Sequence, residues 1–517
     1  MPQTGSRNLI FIVAYNHESF IEKVIARIPR SVISDPGNEV LVIDDGSKDN
    51  TFYVTDAIRE KLRGRAKITV LKNPVNQGYG GNQKVGYRYA LDHGFDRVIL
   101  VHGDGQYAPE LLDKIIAEYS SPAAPDAVFG TRMSSVKSAF KGGMPVYKII
   151  GNRILTWLQN RILKCRMSEF HSGYRSYSVE LLRRIPFEVN SNDFHFDTEI
   201  IIQCLASKAK IVEIPIPTHY GEEVCHVNGF KYALNVLAAS FHFRVQQLGF
   251  LYDRKYDVGT DHYPRKASRY SSHSRLVEKI KPGSTVLDVG CGKGHLASDL
   301  IAKGCVVDGI DVIAESEIAV KLRRYHRIDL IRDMGSLEAV LSQNAYDYIL
   351  MADILEHLVE PDRLLDMIRR HRPARSQPVV IASTGNVAFM VVRLMLFFGQ
   401  FNYGIRGILD RTHVKLFTRK SFRHLFEQST YVISEDQGIP MPFSAVFSEN
   451  SRWGLRFEAL NAFLLRLFPR FFSYQFLLVA APLPTTNQIL EMCEDHTAEL
   501  RRDENRPRDV DLKIIRT

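Results

Sequence analysis

Residues 97–107 read Arg97-Val98-Ile99-Leu100-Val101-His102-Gly103-Asp104-Gly105-Gln106-Tyr107. The branched run Val98–Val101 suits a strand buried on both faces of a parallel sheet. Gly103 and Gly105 let the chain turn sharply and approach a ligand closely. Asp104 is then carried at the carboxyl end of that strand, where open α/β sheets bind their ligands. A carboxylate there suits a hard cation and, through it, a diphosphate. Taken alone, the same stretch could be a strand-to-loop turn in which Asp104 caps a helix starting near Pro109.

The flanking sequence decides between these readings. Leu9–Ala14 is an apolar run ending in Tyr15-Asn16-His17-Glu18, followed by a helical pattern of Phe20, Ile21, Val24, Ile25 and Ile28. Val40–Ile43 is a second strand, closed by Asp44-Asp45-Gly46-Ser47. Ile68–Leu71 is a third, leading to the glycine-rich Asn76-Gln77-Gly78-Tyr79-Gly80-Gly81-Asn82. Strands alternating with helices predict an α/β fold with a doubly wound, mostly parallel sheet and one polar rim. Such a rim suits a nucleotide-diphosphate sugar. Asp44 and Asp45 are placed for base and ribose hydroxyls, Asp104 for a cation on the diphosphate, and the amides from Gly78 to Asn82 with Lys84 for the phosphates.

These motifs carry a resemblance over residues 7 to about 250. IVAYNHE (12–18), VIDDGSKDNT (42–51), NQGYGGN (76–82), HGDGQYAPE (102–110), GTR (130–132), SGYRSYS (172–178), FDTEII (196–201) and PIPTHYGEE (215–223) resemble the GT-A inverting glycosyltransferases that include dolichyl- and polyprenyl-phosphate sugar synthases. The resemblance implies that Asp44 and Asp45 bind the nucleotide, that Asp104 binds Mg²⁺ or Mn²⁺, and that Arg132 and Arg175 face phosphates. Arginine's planar fork suits that role. Many of these synthases have two aspartates separated by one residue at the metal strand, and His102 stands where the first would be. A lipid-phosphate acceptor is already anionic and needs no general base. A sugar hydroxyl would need one, and Asp197 or Glu199 is the candidate.

A second set of motifs begins after the polar stretch 251–274, which reads as a linker and lead-in helix. Thr285–Val289 leads into Gly290-Cys291-Gly292-Lys293-Gly294, Val306–Ile310 ends in Asp311, and Tyr346–Met351 is followed by Asp353-Ile354-Leu355-Glu356-His357. A dinucleotide loop is G-x-G-x-x-G. Here the pattern from Asp288 is D-x-G-x-G-x-G, with the third glycine one position early, which disfavours an oxidoreductase. The loop resembles the S-adenosylmethionine loop of class I methyltransferases. That likeness implies cofactor contacts from Asp288, Gly290, Gly292, Gly294, Asp311 and Asp353, with Asp311 on the ribose. Asp329 or Asp333 is a candidate near the adenine. YDYILMADILEHLVEP (346–361), IASTGN (381–386) and FNYGIRGILDRTHVKLFT (401–418) resemble ubiquinone-pathway and sugar O-methyltransferases. Asp410, Glu356-His357 and His413 are the acceptor-side candidates, with His413 as base on a hydroxyl. The usual Pro-Asn of that loop is Gly385-Asn386 here.

The expected organisation is a glycosyltransferase domain over 1–250, a linker over 251–274, a methyltransferase domain over 275–484 and a charged tail over 485–517. The expected function is sugar transfer from a nucleotide sugar to a lipid phosphate or glycan, joined to O-methylation in glycan or glycolipid assembly. The rival is a methyltransferase whose first domain only binds a nucleotide sugar or glycan. Six scattered cysteines without a C-x-x-C pair argue against a disulfide framework or zinc knuckle. The net charge of +9 fits anionic substrates or an anionic membrane surface, and no nucleic-acid recognition motif is present. Met1–Arg7 is polar, so no secretory leader is expected. No segment reaches the roughly 20 apolar residues of a bilayer span. The chain is therefore expected to be cytoplasmic, with at most peripheral contact at the inner face of the membrane. The closest approaches to a span, Val387–Ile405 and Phe457–Pro482, are aromatic and basic. They read as core helices, or as an interfacial surface. The aromatic helix predicted over Phe230–Leu251 is expected to lie between the domains, and 387–409 to cap the methyl acceptor.

Overall fold

The strand Asn8–Ala14 (β1) shows how the first domain is built, because every one of its residues is buried and successive side chains enter opposite cores. Leu9, Phe11 and Val13 join one core. Ile10, Ile12 and Ala14 join the other. This is the period-2 signature of a sheet covered on both faces. The computed structural model describes residues 6–121, 124–133, 140, 143–217, 228–247, 249–258, 272–371, 377–441 and 452–502. Residues 218–223 of the PIPTHYGEE motif, 259–271 of the expected linker and the tail beyond 502 lie outside the described residues.

The chain divides into two units, Met1–His262 and Tyr263–Thr517. The first holds β1, Glu39–Asp44 (β2), Ile68–Lys72 (β3), Arg97–His102 (β4), Ala127–Thr131 (β5), Arg175–Ser178 (β6) and Ile211–Pro215 (β7). They form one sheet in the order β3-β2-β1-β4-β6-β5-β7. Only β6 runs against its neighbours. The register aligns Ala14 with Asp44 and Asp44 with Lys72, and sets Val13 beside His102. The acidic ends of β2 and β4 therefore share one rim. Helix Gly229–Gln246 packs on helices Val146–Leu163 and Phe196–Ala206 of this same unit, with Ala239 and Phe243 in its core. Phe230, Leu234 and Phe241 of the same helix stay exposed.

The second unit holds Thr285–Val289 (β8), Val306–Asp311 (β9), Arg324–Arg327 (β10), Tyr348–Ala352 (β11), Val379–Gly385 (β12), Tyr431–Ile439 (β13) and Gln475–Pro482 (β14). Their order is β10-β9-β8-β11-β12-β14-β13, with β14 the one reversed strand. Again two cores flank the sheet: Ile349 and Met351 enter one, Tyr348 and Leu350 the other. The stretch expected to cap the acceptor forms helix Met390–Phe397 and irregular chain after it. Much of its apolar surface is exposed, so it is not a core helix.

Helix Tyr79–Asp92 is seated on β1 through Gly86. A methyl group there would fall within the Phe11 ring. Alanine gains about 1 kcal/mol over glycine inside a helix, while overpacking a tight core costs about 1–3 kcal/mol or more. Gly86→Ala is expected to lower the melting temperature of the first domain, and Phe11→Leu in the same chain to recover part of the loss. Calorimetry would check this, with the second domain's transition as internal standard. An unchanged first transition would mean that the helix is not seated on this strand.

Candidate functional site

The rim of the first sheet is built by loops that hold one another. Ser47 Oγ accepts the Asn16 amide at 2.8 Å, Asn16 Oδ1 accepts the Lys48 amide at 3.0 Å, and Thr51 Oγ1 accepts the His17 amide at 2.8 Å. Asn16 sits in the left-handed region, at φ 56°. Asp44 is buried. Its Oδ1 accepts the Ser47 amide at 2.8 Å, while Oδ2 has no hydrogen bond and lies 3.5 Å from Lys72 Nζ. Asp45 is used differently. Its Oδ1 accepts Asn73 Nδ2 at 2.7 Å and the Gln77 amide at 2.8 Å, which ties the glycine-rich loop to β2. Asp104 is half-buried, and its Oδ1 accepts the Gln106 amide at 2.9 Å. Among the described residues Oδ2 of Asp104 accepts no hydrogen bond, and no three acidic, histidine or cysteine side chains are grouped as a metal cage.

The glycine-rich turn does not present its amides to phosphates, as the sequence suggested. The Gly78 amide donates to Asn76 Oδ1 at 2.9 Å and the Gly80 amide to Asn192 O at 2.8 Å. A Cβ on Gly78 would lie 2.7 Å from Asn192 O, and one on Gly80 2.5 Å from Ser191 O. These glycines admit the segment 191–196 against the helix. Lys84 is drawn into the same contact, donating to Asn190 O and, at 2.7 Å, to Asn192 Oδ1.

The two arginines expected to face phosphates are buried and occupied. Arg132 donates its amide to Glu169 Oε2 at 2.7 Å, and its Nε and Nη2 to Glu169 Oε1. Burial would raise the Glu169 carboxyl, but Arg132 outweighs it and holds it below the usual carboxylate range. Arg175, only 2% exposed, donates to the carbonyls of Ser172, Asp197 and Phe170 at 2.7, 2.8 and 2.7 Å. A guanidinium that closes three carbonyls from inside the fold is structural.

Asp197 is the centre of a buried relay. Its Oδ2 lies 3.7 Å from Arg175 Nη2 and accepts the Tyr79 hydroxyl at 3.0 Å, and its Oδ1 accepts Gln83 Nε2 at 3.3 Å. The Tyr79 oxygen in turn lies 3.2 Å from His102 Nε2. Both Asp197 oxygens are engaged, so it is a counter-ion and not a free base. Glu199 is likewise taken, by the Ser191 amide at 2.6 Å and Lys255 Nζ at 2.8 Å. His102 turns inward: a Cβ on Gly173 would lie 2.5 Å from its Nε2. Burial, only partly offset by Asp104 and Asp197, holds its pKa down. An aspartate at position 102 would place a further buried carboxylate near Asp197, so the histidine fits the relay and leaves Asp104 as the acid of this strand.

In the second unit the three loop glycines divide the work. Gly290 and Gly294 lie against side chains, with their Cβ positions 2.8 Å from Ile354 Cδ1 and 2.6 Å from Val320 Cγ1. Gly292, at φ +52°, has nothing within 4 Å of its Cβ position. Its amide donates to Asp311 Oδ2 at 2.7 Å, and Asp311 Oδ1 accepts the Val312 amide at 2.8 Å. Beside this opening, Asp288 is buried with Oδ2 unpartnered, and burial together with the Asp311 carboxylate pushes its pKa up to about 7. Asp353 takes the left-handed conformation at φ 55° and is locked by Ser383 Oγ at 2.7 Å and Gln475 Nε2 at 2.8 Å.

On the acceptor side, His413 Nδ1 lies 3.0 Å from Ile408 O, which assigns the proton to Nδ1 and leaves the Nε2 lone pair free to accept one. Burial, with the neighbouring His357, holds its pKa below the ordinary histidine value. The two rings meet edge-on at 4.7 Å. Asp410 is buried and holds the loop, accepting the Thr412 amide at 2.9 Å and hydroxyl at 2.7 Å. The Glu356 backbone carbonyl accepts the Val414 and Lys415 amides at 2.9 and 3.0 Å. Its side chain is buried with Oε2 unpartnered, and burial followed by Asp353 pushes its pKa up to about 8. The partners that sequence reasoning missed are Glu169, Tyr79 and Gln475. Glu169 stands just ahead of a quoted motif, and a buried arginine always needs an anion. Gln475 has no local signal, because it reaches Asp353 across 122 residues of sequence.

Two α/β units with ligand-facing rims of this kind define a two-domain transferase. Residues 9–185 match the glycosyl transferase family 2 model and residues 261–434 a methyltransferase domain model. The chain is an enzyme that carries a family 2 glycosyltransferase domain followed by a methyltransferase domain. Its relatives include the UDP-N-acetylglucosamine–dolichyl-phosphate N-acetylglucosaminyltransferase of Methanococcus voltae, 27% identical over 222 residues, covering 41% of this chain and 86% of the relative. The undecaprenyl-phosphate mannosyltransferase of Micrococcus luteus is 27% identical over 215 residues, covering 41% and 82%. Among solved structures, a glucosyl-3-phosphoglycerate synthase from Mycobacterium tuberculosis aligns at TM-score 0.35 and 19% identity, covering 46% of this chain and 79% of that one. A SAM-dependent methyltransferase from Archaeoglobus fulgidus aligns at 0.29 and 16%, covering 42% and 96%.

Two outcomes follow from the buried charges. Arg132→Ala strands Glu169 as an uncompensated anion, which costs about 3–5 kcal/mol. It is expected to destabilise the first domain, and adding Glu169→Gln to recover much of the loss in a melting curve. An Arg132→Ala protein with parental stability would return Arg132 to ligand binding. Asp288 holds its proton in the folded chain up to about pH 7, whereas an unfolded aspartate releases it near pH 4. The stability it contributes is present at low pH and lost as the pH rises between those values. The melting temperature of Asp288→Asn relative to the parent should therefore move in the variant's favour from about pH 4 to about pH 8. A pH-independent difference would mean that Asp288 ionises normally.

Proposed function

We propose that the chain is bifunctional. The first domain transfers a sugar from a nucleotide-diphosphate sugar to a lipid phosphate, and the second methylates a hydroxyl oxygen of a glycan or glycolipid with S-adenosylmethionine as donor. The observation that carries the acceptor class is that the two candidate bases of the first domain, Asp197 and Glu199, are both engaged by the fold. Such a rim suits a nucleophile that arrives already anionic, and relatives named as dolichyl-phosphate and undecaprenyl-phosphate transferases support the same reading. A phosphate oxygen attacks the anomeric carbon, the bond from that carbon to the diphosphate breaks, and the nucleoside diphosphate leaves with the electron pair. Asp44 accepts from the nucleotide. Asp104 is the protein's ligand for a Mg²⁺ or Mn²⁺ ion, which neutralises charge on the diphosphate when bound. Helix Val146–Leu163 exposes Tyr147, Ile150, Ile154 and Trp157 on one stripe, which suits the lipid's apolar chain.

For the methyl donor, the open Gly292 turn and the unpartnered oxygen of Asp288 are the features that fit. The cofactor supplies an electrophilic methyl group. Asp311 holds the loop and would accept from the ribose hydroxyls of the bound cofactor, and His413 Nε2 would take the proton of the acceptor hydroxyl. We place both reactions at the cytoplasmic face of a membrane.

The deciding experiment presents undecaprenyl phosphate and a panel of nucleotide sugars with Mg²⁺ or Mn²⁺, and follows labelled sugar. Asp104→Asn should reduce transfer by about 100-fold or more, since metal stabilisation of a leaving diphosphate is worth several kcal/mol, and leave SAM affinity unchanged by calorimetry. His413→Ala should reduce methyl transfer about 10²–10⁴-fold and leave sugar transfer intact. Binding of a nucleotide sugar without turnover, unaltered by Asp104→Asn, would favour the reading in which the first domain is a binding module.

A further inference from the structure

The second domain exposes several large aromatic side chains on neighbouring segments. On helix Met390–Phe397 and the turn after it, Leu394 is exposed, and Phe397 and Phe398 are 82% and 72% exposed. On helices Arg452–Leu467 and Pro469–Phe472, Phe463, Phe468 and Phe471 are exposed as well. The two segments form one surface. The Arg393 guanidinium stacks over the Phe471 ring at 4.6 Å, and Asn386 Nδ2 donates to Ser473 O at 2.8 Å. The same chain, followed from Gly399, returns as the loop that carries Asp410 and His413 and closes on itself by the Gly404–Asp410 bridge.

Charge says what this surface meets. Residues 386–418 and 452–472 together carry eight arginines and lysines against two acids, a net +6 in a chain whose net charge is +9. One of those acids, Asp410, is buried. Arg393, Arg466 and Arg470 stand exposed among the phenylalanines. Bulky aromatics with interleaved arginines suit the boundary between headgroups and acyl chains of an anionic bilayer. No described helix is long and apolar enough to cross a membrane, so the contact is with the surface.

We propose that the methyltransferase domain docks on anionic lipid through the patch centred on Phe397, Phe398 and Phe471, which brings the His413 loop to the headgroup level. This goes beyond the proposed sugar transfer to a lipid phosphate and does not depend on it, because the docking surface belongs to the other domain and recognises bulk lipid.

The test uses the full chain and vesicles of phosphatidylcholine with or without phosphatidylglycerol, both free of polyprenyl phosphate, and reads co-sedimentation. The parent should bind the anionic vesicles, bind neutral ones far more weakly, and be released by salt. The double variant Phe397→Ser, Phe398→Ser should bind anionic vesicles at least about tenfold more weakly, since it removes two phenylalanine side chains that leave water on docking. Both side chains are exposed, so its melting curve and SAM affinity should match the parent's. Trp157→Ser, in the first domain, controls for membrane contact made there. Parental binding by the double variant overturns the proposal, as does equal binding of the parent to neutral vesicles. So does a parent that sediments in the ultracentrifuge as a dimer which the double variant abolishes while vesicle binding stays unchanged, because the patch is then a contact between copies. Failure of sugar transfer with vesicle binding intact would overturn the proposed first activity and leave this inference standing.

Discussion

The guanidinium of Arg175 is the constraint on which the first site depends. It lies inside the fold on the one reversed strand, where it closes three carbonyls and faces the Asp197 carboxylate. Removing a charge from water is tolerable only with a partner and full hydrogen bonding, and this pair has both. Burial pulls the arginine's pKa down, but Asp197 outweighs it and holds it above the ordinary value. Because Asp197 must remain the counter-ion, Tyr79 and Gln83 orient to it, and Tyr79 then fixes His102. The residue that departs from the relatives' metal strand is thus the last member of a buried chain that begins at an arginine.

The same economy explains why the glycine-rich turn is not a phosphate cradle. Gly78 and Gly80 direct their amides to Asn76 and Asn192, the adjoining Lys84 donates to Asn190 and Asn192, and one oxygen of Asp45 accepts from Asn73 and Gln77. These bonds convert flexible loops into a fixed rim. Among the described residues, one carboxylate oxygen each of Asp44, Asp45 and Asp104 accepts no hydrogen bond. Preorganisation of that kind lowers the entropy that ordering a loop would cost on binding.

The parallel centre of each sheet was legible in the sequence, because strands buried on two faces read as continuous apolar runs and the glycine and aspartate clusters mark their carboxyl ends, whereas polar strands such as Arg175–Ser178 and Arg324–Arg327 carry no such signal. The positions of Asp44, Asp104, Asp288, Gly292 and Asp311 at those ends were legible for the same reason. The fates of Arg132 and Arg175 were not. A motif records that an arginine is present, whereas whether it meets a phosphate or a glutamate is set by a partner such as Glu169, 37 residues further along the chain. Asp197 stood as a candidate base because it is a carboxylate in a quoted motif, and its partners Tyr79 and Gln83 lie 118 and 114 residues away. The exposed phenylalanines at 397 and 398 were ambiguous because periodicity shows that a helix has an apolar face and not what covers it.

The two rims share one further property. Each keeps a buried carboxylate oxygen without a hydrogen bond, Oδ2 of Asp44 in the first and Oδ2 of Asp288 in the second. An unsatisfied buried polar group costs about 1–3 kcal/mol, a cost that Lys72 Nζ, 3.5 Å from Asp44 Oδ2, partly offsets in the first sheet. A ligand that binds only the folded chain offsets such a cost in proportion to the logarithm of its concentration over its dissociation constant. In the second domain Asp288 lies on β8 two residues before Gly290, in the loop whose Gly292 has open space before it, and in the first Asp44 lies on the rim shared with Asp104. Each such oxygen therefore stands where a donor molecule would offset its cost, on a rim whose loops are held to one another by hydrogen bonds.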